Sequence, residues 1–145
     1  MKKIFSLIIC LLFCLVPITT AFAEELPSQP KVMVTDYKTD GELKAGNTAK
    51  ISITLTNKSK TDYVRNMKLT FSDSSGDIVP VGVASGYVDR LNAKRSVTWD
   101  IDVKISETAA DGNHAVNIMC EFESEAGSGS SSDVINLNII KKKEI

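Results

Sequence analysis

The stretch "SVTWDIDVKI", residues 96–105, decides the fold. Val97, Trp99, Ile101, Val103 and Ile105 alternate with Thr98, Asp100, Asp102 and Lys104, a strict period of two. Successive side chains on a strand point to opposite faces, so this pattern makes a strand with one dry and one wet face. A helix would need apolar residues at i, i+3 and i+4, and nothing after residue 30 sustains that spacing.

The same period extends outward from this strand. "KISITLT" (50–56) places Ile51, Ile53 and Leu55 on one face, and "KVMVTDY" (31–37) reads as the first strand. In "YVRNMKLTFS" (63–72), Met67, Leu69 and Phe71 share a face while Val64 is out of phase, which predicts a bulge near Arg65 and Asn66. "DIVPVGV" (77–83) reads as a short edge strand, because Pro80 has no N–H to donate to a central ladder. "HAVNIMCEF" (114–122) points His114, Val116, Ile118, Cys120 and Phe122 inward, and "DVINLNII" (133–140) closes the domain with Ile135, Leu137 and Ile139. Turn-forming runs separate the strands, among them "EAGSGSSS" (125–132), whose "GSGSSS" (127–132) is read as a flexible loop. About seven short strands without a helix predict an all-β, immunoglobulin-like antiparallel sandwich.

The ends set the context. Residues 1–23 have the basic, apolar and small-x-small parts of a secretory signal peptide, with cleavage expected between Ala23 and Glu24. Pro17, Thr19 and Thr20 interrupt the apolar run short of the ~20 residues that a membrane span needs. The expected organisation is a signal peptide (1–23), a linker (24–30), the sandwich (31–140) and a basic tail (141–145). The mature chain is expected to be secreted, without an integral membrane span; envelope association and oligomeric state stay open. Of 17 Lys and Arg residues two lie in the leader, against 18 Asp and Glu, so the mature chain is slightly acidic. That argues against a nucleic-acid partner, which calls for a basic face.

Only Cys120 remains after cleavage, so no disulfide can form within the mature chain. His114, the single histidine, lies six residues away on the same predicted strand. That separation is about 20 Å at ~3.3 Å per residue, too far for a nucleophile and its base. Cys120 reads as a small core residue, and His114 as a corner residue after the turn at Asp111 and Gly112. Two candidate ligands do not make a structural zinc site. No catalytic residue, metal or cofactor is expected, and the chain is read as a non-enzyme. "DSSGD" (73–77) reads as a turn, Asp100 and Asp102 as solvated strand charges, and "NKS" (57–59) matches a glycosylation acceptor on a chain of bacterial style. Lys141, Lys142 and Lys143 are candidates for contact with an anionic surface, and Tyr63 and Tyr87 for contact with a glycan.

"LKAGNTAKISITLTNKSKTDYVRNMKLTFS" (43–72) resembles bacterial immunoglobulin-like domains of the cell-adhesion-related (CARDB) type and their relatives in S-layer-like surface proteins. Leu43, Ala45, Gly46, Ile51, Ile53, Leu55, Asn57, Ser59, Asn66 and Met67 fill the slots of that pattern, and "LNAKRSVTWDIDV" and "ADGNHAVNI" resemble its later segments. The chain departs at Lys94, where such domains usually carry glycine, and at His114, where they carry tyrosine. The resemblance implies a non-catalytic cell-surface role in adhesion, with an envelope polymer or another surface protein as partner. Two other readings stay open: a carbohydrate-binding module, and a self-assembling surface subunit that exchanges its terminal strand by strand addition.

Overall fold

The strand expected at 96–105 is β7 (Ser96–Ile105), and its length and alternation suit a central place in a sheet. In the computed structural model, which describes residues 28–141, it lies between β3 (Thr48–Asn57) and the short β5 (Ile78–Pro80). β1 (Val32–Thr39) completes a four-stranded sheet in the order β1-β3-β7-β5. A five-stranded sheet faces it in the order β2-β9-β8-β4-β6. It is built from β2 (Leu43–Lys44), β4 (Val64–Ser72), β6 (Ser85–Leu91), β8 (Gly112–Ser124) and β9 (Gly127–Ile140). β1 runs antiparallel to β3 in one sheet, whereas β2 runs parallel to β9 in the other. The described residues form an all-β sandwich of immunoglobulin type.

The inward rows meet as the alternation requires. Ile51, Ile53 and Leu55 from β3, Val103 and Ile105 from β7, Met67 and Leu69 from β4, and Val116 and Ile118 from β8 are all buried in one cluster. Val64 is also buried, and the register of β4 slips between Arg65 and Lys68, with Asn66 at φ 49°. This is the expected bulge: an extra residue lets Val64 and Met67 both face inward. Pro80 lies in β5, which pairs only with β7, so its missing N–H leaves no gap in a ladder.

The sequence reading is corrected in three places. Among the described residues the sandwich has nine strands rather than about seven, because β2 and β6 were not anticipated. "DIVPVGV" is strand only through Pro80; Val81 N–H still bonds Asp102 O (2.8 Å), and the chain then crosses to the other sheet to form β6 against β4. "GSGSSS" (127–132) is no loop: Glu125 and Ala126 make the turn, and pairing with β8 begins at Gly127 opposite Ser124 and runs unbroken to Ile139. The ladder overrides the weak strand propensity of Gly and Ser. Gly129 has a role there, as an added Cβ would lie 2.7 Å from the Phe122 ring, which packs across it.

At the domain's ends, the signal peptide and its cleavage point lie outside the described residues, as do Lys142 and Lys143. Pro30 is already buried, and Gln29 Nε2 donates to Ala126 O (3.3 Å) and Ser128 O (3.2 Å), so the last linker residues pack on the domain. Lys141 N–H bonds Asp111 Oδ1 at 2.8 Å at the opposite end.

Candidate binding surface

Alternation gives each sheet an outward row, and the two rows differ in chemistry. On the four-stranded sheet the row carries Lys38, Lys50, Asp100, Asp102 and Lys104 among threonines and serines that bond each other across strands. Thr56 and Ser96 hydroxyls are 2.7 Å apart, and Ser52 Oγ donates to Asp100 Oδ1 at 2.5 Å. That is an ordinary solvated face.

On the five-stranded sheet, the outward row across β8 from Asn113 to Met119 and across β9 from Ser132 to Asn138 carries no charge, and Lys44 of β2, beside Ile140, bounds it. β8 presents Asn113, Ala115, Asn117 and Met119, and β9 presents Ser132, Val134, Asn136 and Asn138 beside them, with Asn113 opposite Asn138 and Met119 opposite Ser132. Thr70 and Ser72 of β4 continue the field, lying opposite Met119 and Asn117. Met119 is 41% exposed and Val134 62%. Interface cores are depleted in charge, so the uncharged half is the part of the surface suited to recognition. Its signal was in the sequence, at the outward positions of two strands where Asn and Met stand in place of Lys and Asp.

The other half of this face centres on the β4 bulge. Asn66 turns outward there; its Nδ2 donates to Glu123 Oε2 (2.9 Å), and its Oδ1 accepts the Tyr87 hydroxyl (2.7 Å). Arg65 Nε stands 3.5 Å from the same Glu123 oxygen. Tyr87, on β6, is 64% exposed. Its phenol is held above its ordinary value, first by local desolvation and then by the carboxylates of Asp89 and Glu123. Tyr63 differs: it is half-buried, and the Arg90 guanidinium lies 3.8 Å from its ring centroid, occupying one ring face. The two tyrosines named as candidates for glycan contact therefore stand in different environments, and Tyr87 is the open one.

His114 and Cys120 are not brought together. His114 Nε2 lies 2.7 Å from Ala110 O, and Nδ1 lies 3.6 Å from Asp77 Oδ2. The imidazole thus makes the corner bond across the turn before β8 and also ties it to the β4–β5 turn. Cys120 is buried opposite Ser131. Burial pushes its thiol up to about 12, with Asp133 and Glu121 adding to the shift. A thiol held protonated is no nucleophile.

Other motifs are absorbed by structure as well. Asp73 spends its carboxylate on Ser75 N–H (3.0 Å), Ile78 N–H (3.0 Å) and the Ser75 hydroxyl, forming a self-contained turn. Asn57, in the sequon-like "NKS", is fully buried; its Nδ2 donates to Asp62 O (2.8 Å) and Leu91 O (3.1 Å), and its Oδ1 accepts Ser59 N–H (3.0 Å). It holds the β3–β4 loop against the end of β6. Among the described residues, no helix is long and apolar enough to cross a membrane.

No family model matches the chain, and no curated protein matches it. Among solved structures it is similar to E. coli alpha-2-macroglobulin at 16% identity and TM-score 0.49, over 76% of this chain and 7% of that one. It is similar to Spo0M, a sporulation control protein from Bacillus subtilis, at 10% identity and TM-score 0.43, over 81% of this chain and 51% of that one. Against PapD-like domain 7 of human CEP192 the values are 14% identity and TM-score 0.40, over 76% of this chain and 89% of that domain. The chain thus spans a small part of the macroglobulin and about half of Spo0M.

Proposed function

We propose that this chain is an exported, non-catalytic immunoglobulin-like module that binds an envelope polymer or another surface protein through the outer face of its five-stranded sheet. The observation that carries the reading is the contrast between the two outer faces. One is a field of charges and bonded hydroxyls, and the other has an uncharged half with Met119 and Val134 exposed at its centre. The signal-like leader and the resemblance to CARDB-type surface domains support placing it outside the cell, in adhesion. The test is co-sedimentation of the purified protein with envelopes of the producing cell, at low and high salt. We expect salt-resistant retention that Met119→Glu abolishes while leaving the thermal midpoint within about 1 °C, since exposed substitutions shift stability little. Retention lost in high salt and with Lys141–Lys143 replaced would assign attachment to the tail instead. No retention under any condition removes the envelope reading.

A second reading has its own observation. Tyr87, with Asn66, Asp89 and Glu123 beside its hydroxyl, combines an exposed aromatic ring with polar groups, as a saccharide requires. Glycan retention lost in Tyr87→Ala but kept in Met119→Glu would favour that carbohydrate-binding role. Unchanged retention in Tyr87→Ala removes it.

A further inference from the structure

Most of β9 forms the edge of its sheet. β8 fills one side from Gly127 to Ile139, while β2 covers the other only at Ile139 and Ile140. Three contacts show which backbone groups face the open side. Ser128 O accepts Gln29 Nε2 (3.2 Å), Asn136 O accepts the Tyr37 hydroxyl (3.0 Å), and Ile140 O accepts Ala45 N–H (3.0 Å). All three are even-numbered, and the backbone groups of a strand alternate in direction, so the even residues point away from β8. Between the contacts lie Ser130, Ser132 and Val134, whose outward N–H and C=O groups have no partner among the described residues.

Edges are normally blunted by proline, by a charge on the edge or pointing inward, by a bulge or by a covering segment. β5 carries Pro80, whereas β9 has no proline, outward charge or bulge from Ser130 to Val134. The one such device in that window is Asp133, which points inward, and its Oδ2 is already engaged by Val34 N–H of β1 (2.9 Å). The flanking side chains, Ser130, Ser132 and Val134, are small and neutral, so they give little of the side-chain selection by which peptide-binding edges choose a foreign sequence. An antiparallel pairing centred on an outward residue is instead self-complementary, with each N–H meeting the equivalent C=O of an identical strand.

We propose that two copies of this chain pair edge to edge through β9, antiparallel about a two-fold axis at Ser132. Ser132 then faces Ser132 of the second copy and Ser130 faces Val134, each pair exchanging both of its backbone bonds. The two five-stranded sheets become one continuous sheet. β9 keeps its ladder with β8 throughout, so the assembly needs edge addition and no exchange of the terminal strand. Gln29 and Tyr37 stand at the two ends of the open window, and their side-chain bonds limit its length.

Sedimentation velocity on the purified protein from micromolar to millimolar concentration tests this. The expected result is a reversible dimer that Ser132→Pro abolishes, since proline removes an N–H that the monomer leaves unused. Ser132→Cys should form an intermolecular disulfide on mild oxidation, with Cys120 too buried to compete. A wild-type protein monomeric at millimolar concentration overturns the proposal, as does a dimer that persists in a folded Ser132→Pro variant. Should Ser132→Pro fail to fold by circular dichroism, the cysteine variant decides: cross-linked dimers support the pairing, and their absence overturns it. Met119→Glu, which tests the outer face, should leave the dimer unchanged, so the two readings fail separately.

Discussion

Lys94 sits at φ 63°, in the left-handed region, within the turn from Asn92 to Arg95. Its N–H bonds Asn57 O at 2.8 Å, so the buried asparagine and the strained lysine hold the same corner. A β-carbon costs roughly 1–2 kcal/mol in that conformation, a cost that glycine avoids. Lys94→Gly is expected to raise stability by about 1 kcal/mol, less than the full steric cost because glycine also gains freedom in the unfolded chain. A shift of the urea midpoint to higher concentration at constant slope would check this. Asn66, the other non-glycine residue at positive φ, has a short polar side chain that tolerates the region and uses its outward position to join Tyr87 to Glu123. The bulge was legible from the broken phase of Val64. The cluster was not, because which side chains meet across β4, β6 and β8 depends on pairings absent from the linear pattern.

At the scale of elements, β3, β7 and β8 could be read directly, since one face of each is buried or half-buried along the strand and alternation records it. β6 escaped because its inward row is interrupted by Gly86, where an added Cβ would lie 2.6 Å from Trp99 Nε1. That glycine is required by the close approach of an indole and not by backbone conformation. Gly86→Ala is expected to cost about 1–3 kcal/mol through overpacking, and to move the emission maximum of Trp99, the only tryptophan. An unchanged spectrum and midpoint would mean the strand shifts freely. β9 was read only in its second half for a related reason: from Gly127 to Ser132 it lacks an apolar row of its own, and the ladder with β8 extends it.

For the whole molecule, one apolar cluster joins both sheets, and Cys120 lies inside it. The thiol should therefore resist disulfide reagents until the sandwich opens globally, so its labelling rate in rising urea should track unfolding seen by Trp99 fluorescence. Labelling that outpaces the fluorescence change would reveal local opening of β8. A pH dependence follows from the same burial. The folded thiol is held up to about 12 against an ordinary value of 9.0, so above pH 9 the unfolded chain loses its proton first. Stability from this group is fully present below pH 9 and falls as pH rises toward 12. Cys120→Ser should flatten that part of the stability profile. The all-β class could be argued from pattern alone, whereas the uncharged outer face appeared only once the sheets assigned outward residues to one surface or the other.

The described chain enters beside the β8–β9 turn, where Gln29 meets Ser128, and leaves at the opposite end, where Lys141 meets Asp111. Tension applied through those two points runs along the strands. It pulls β1 against β3, and β2 against β9, in the direction of their length, so the rungs of each pair bear load together instead of opening one after another. A domain strained between those two points would then yield by shear, the geometry in which a few backbone bonds resist the most force.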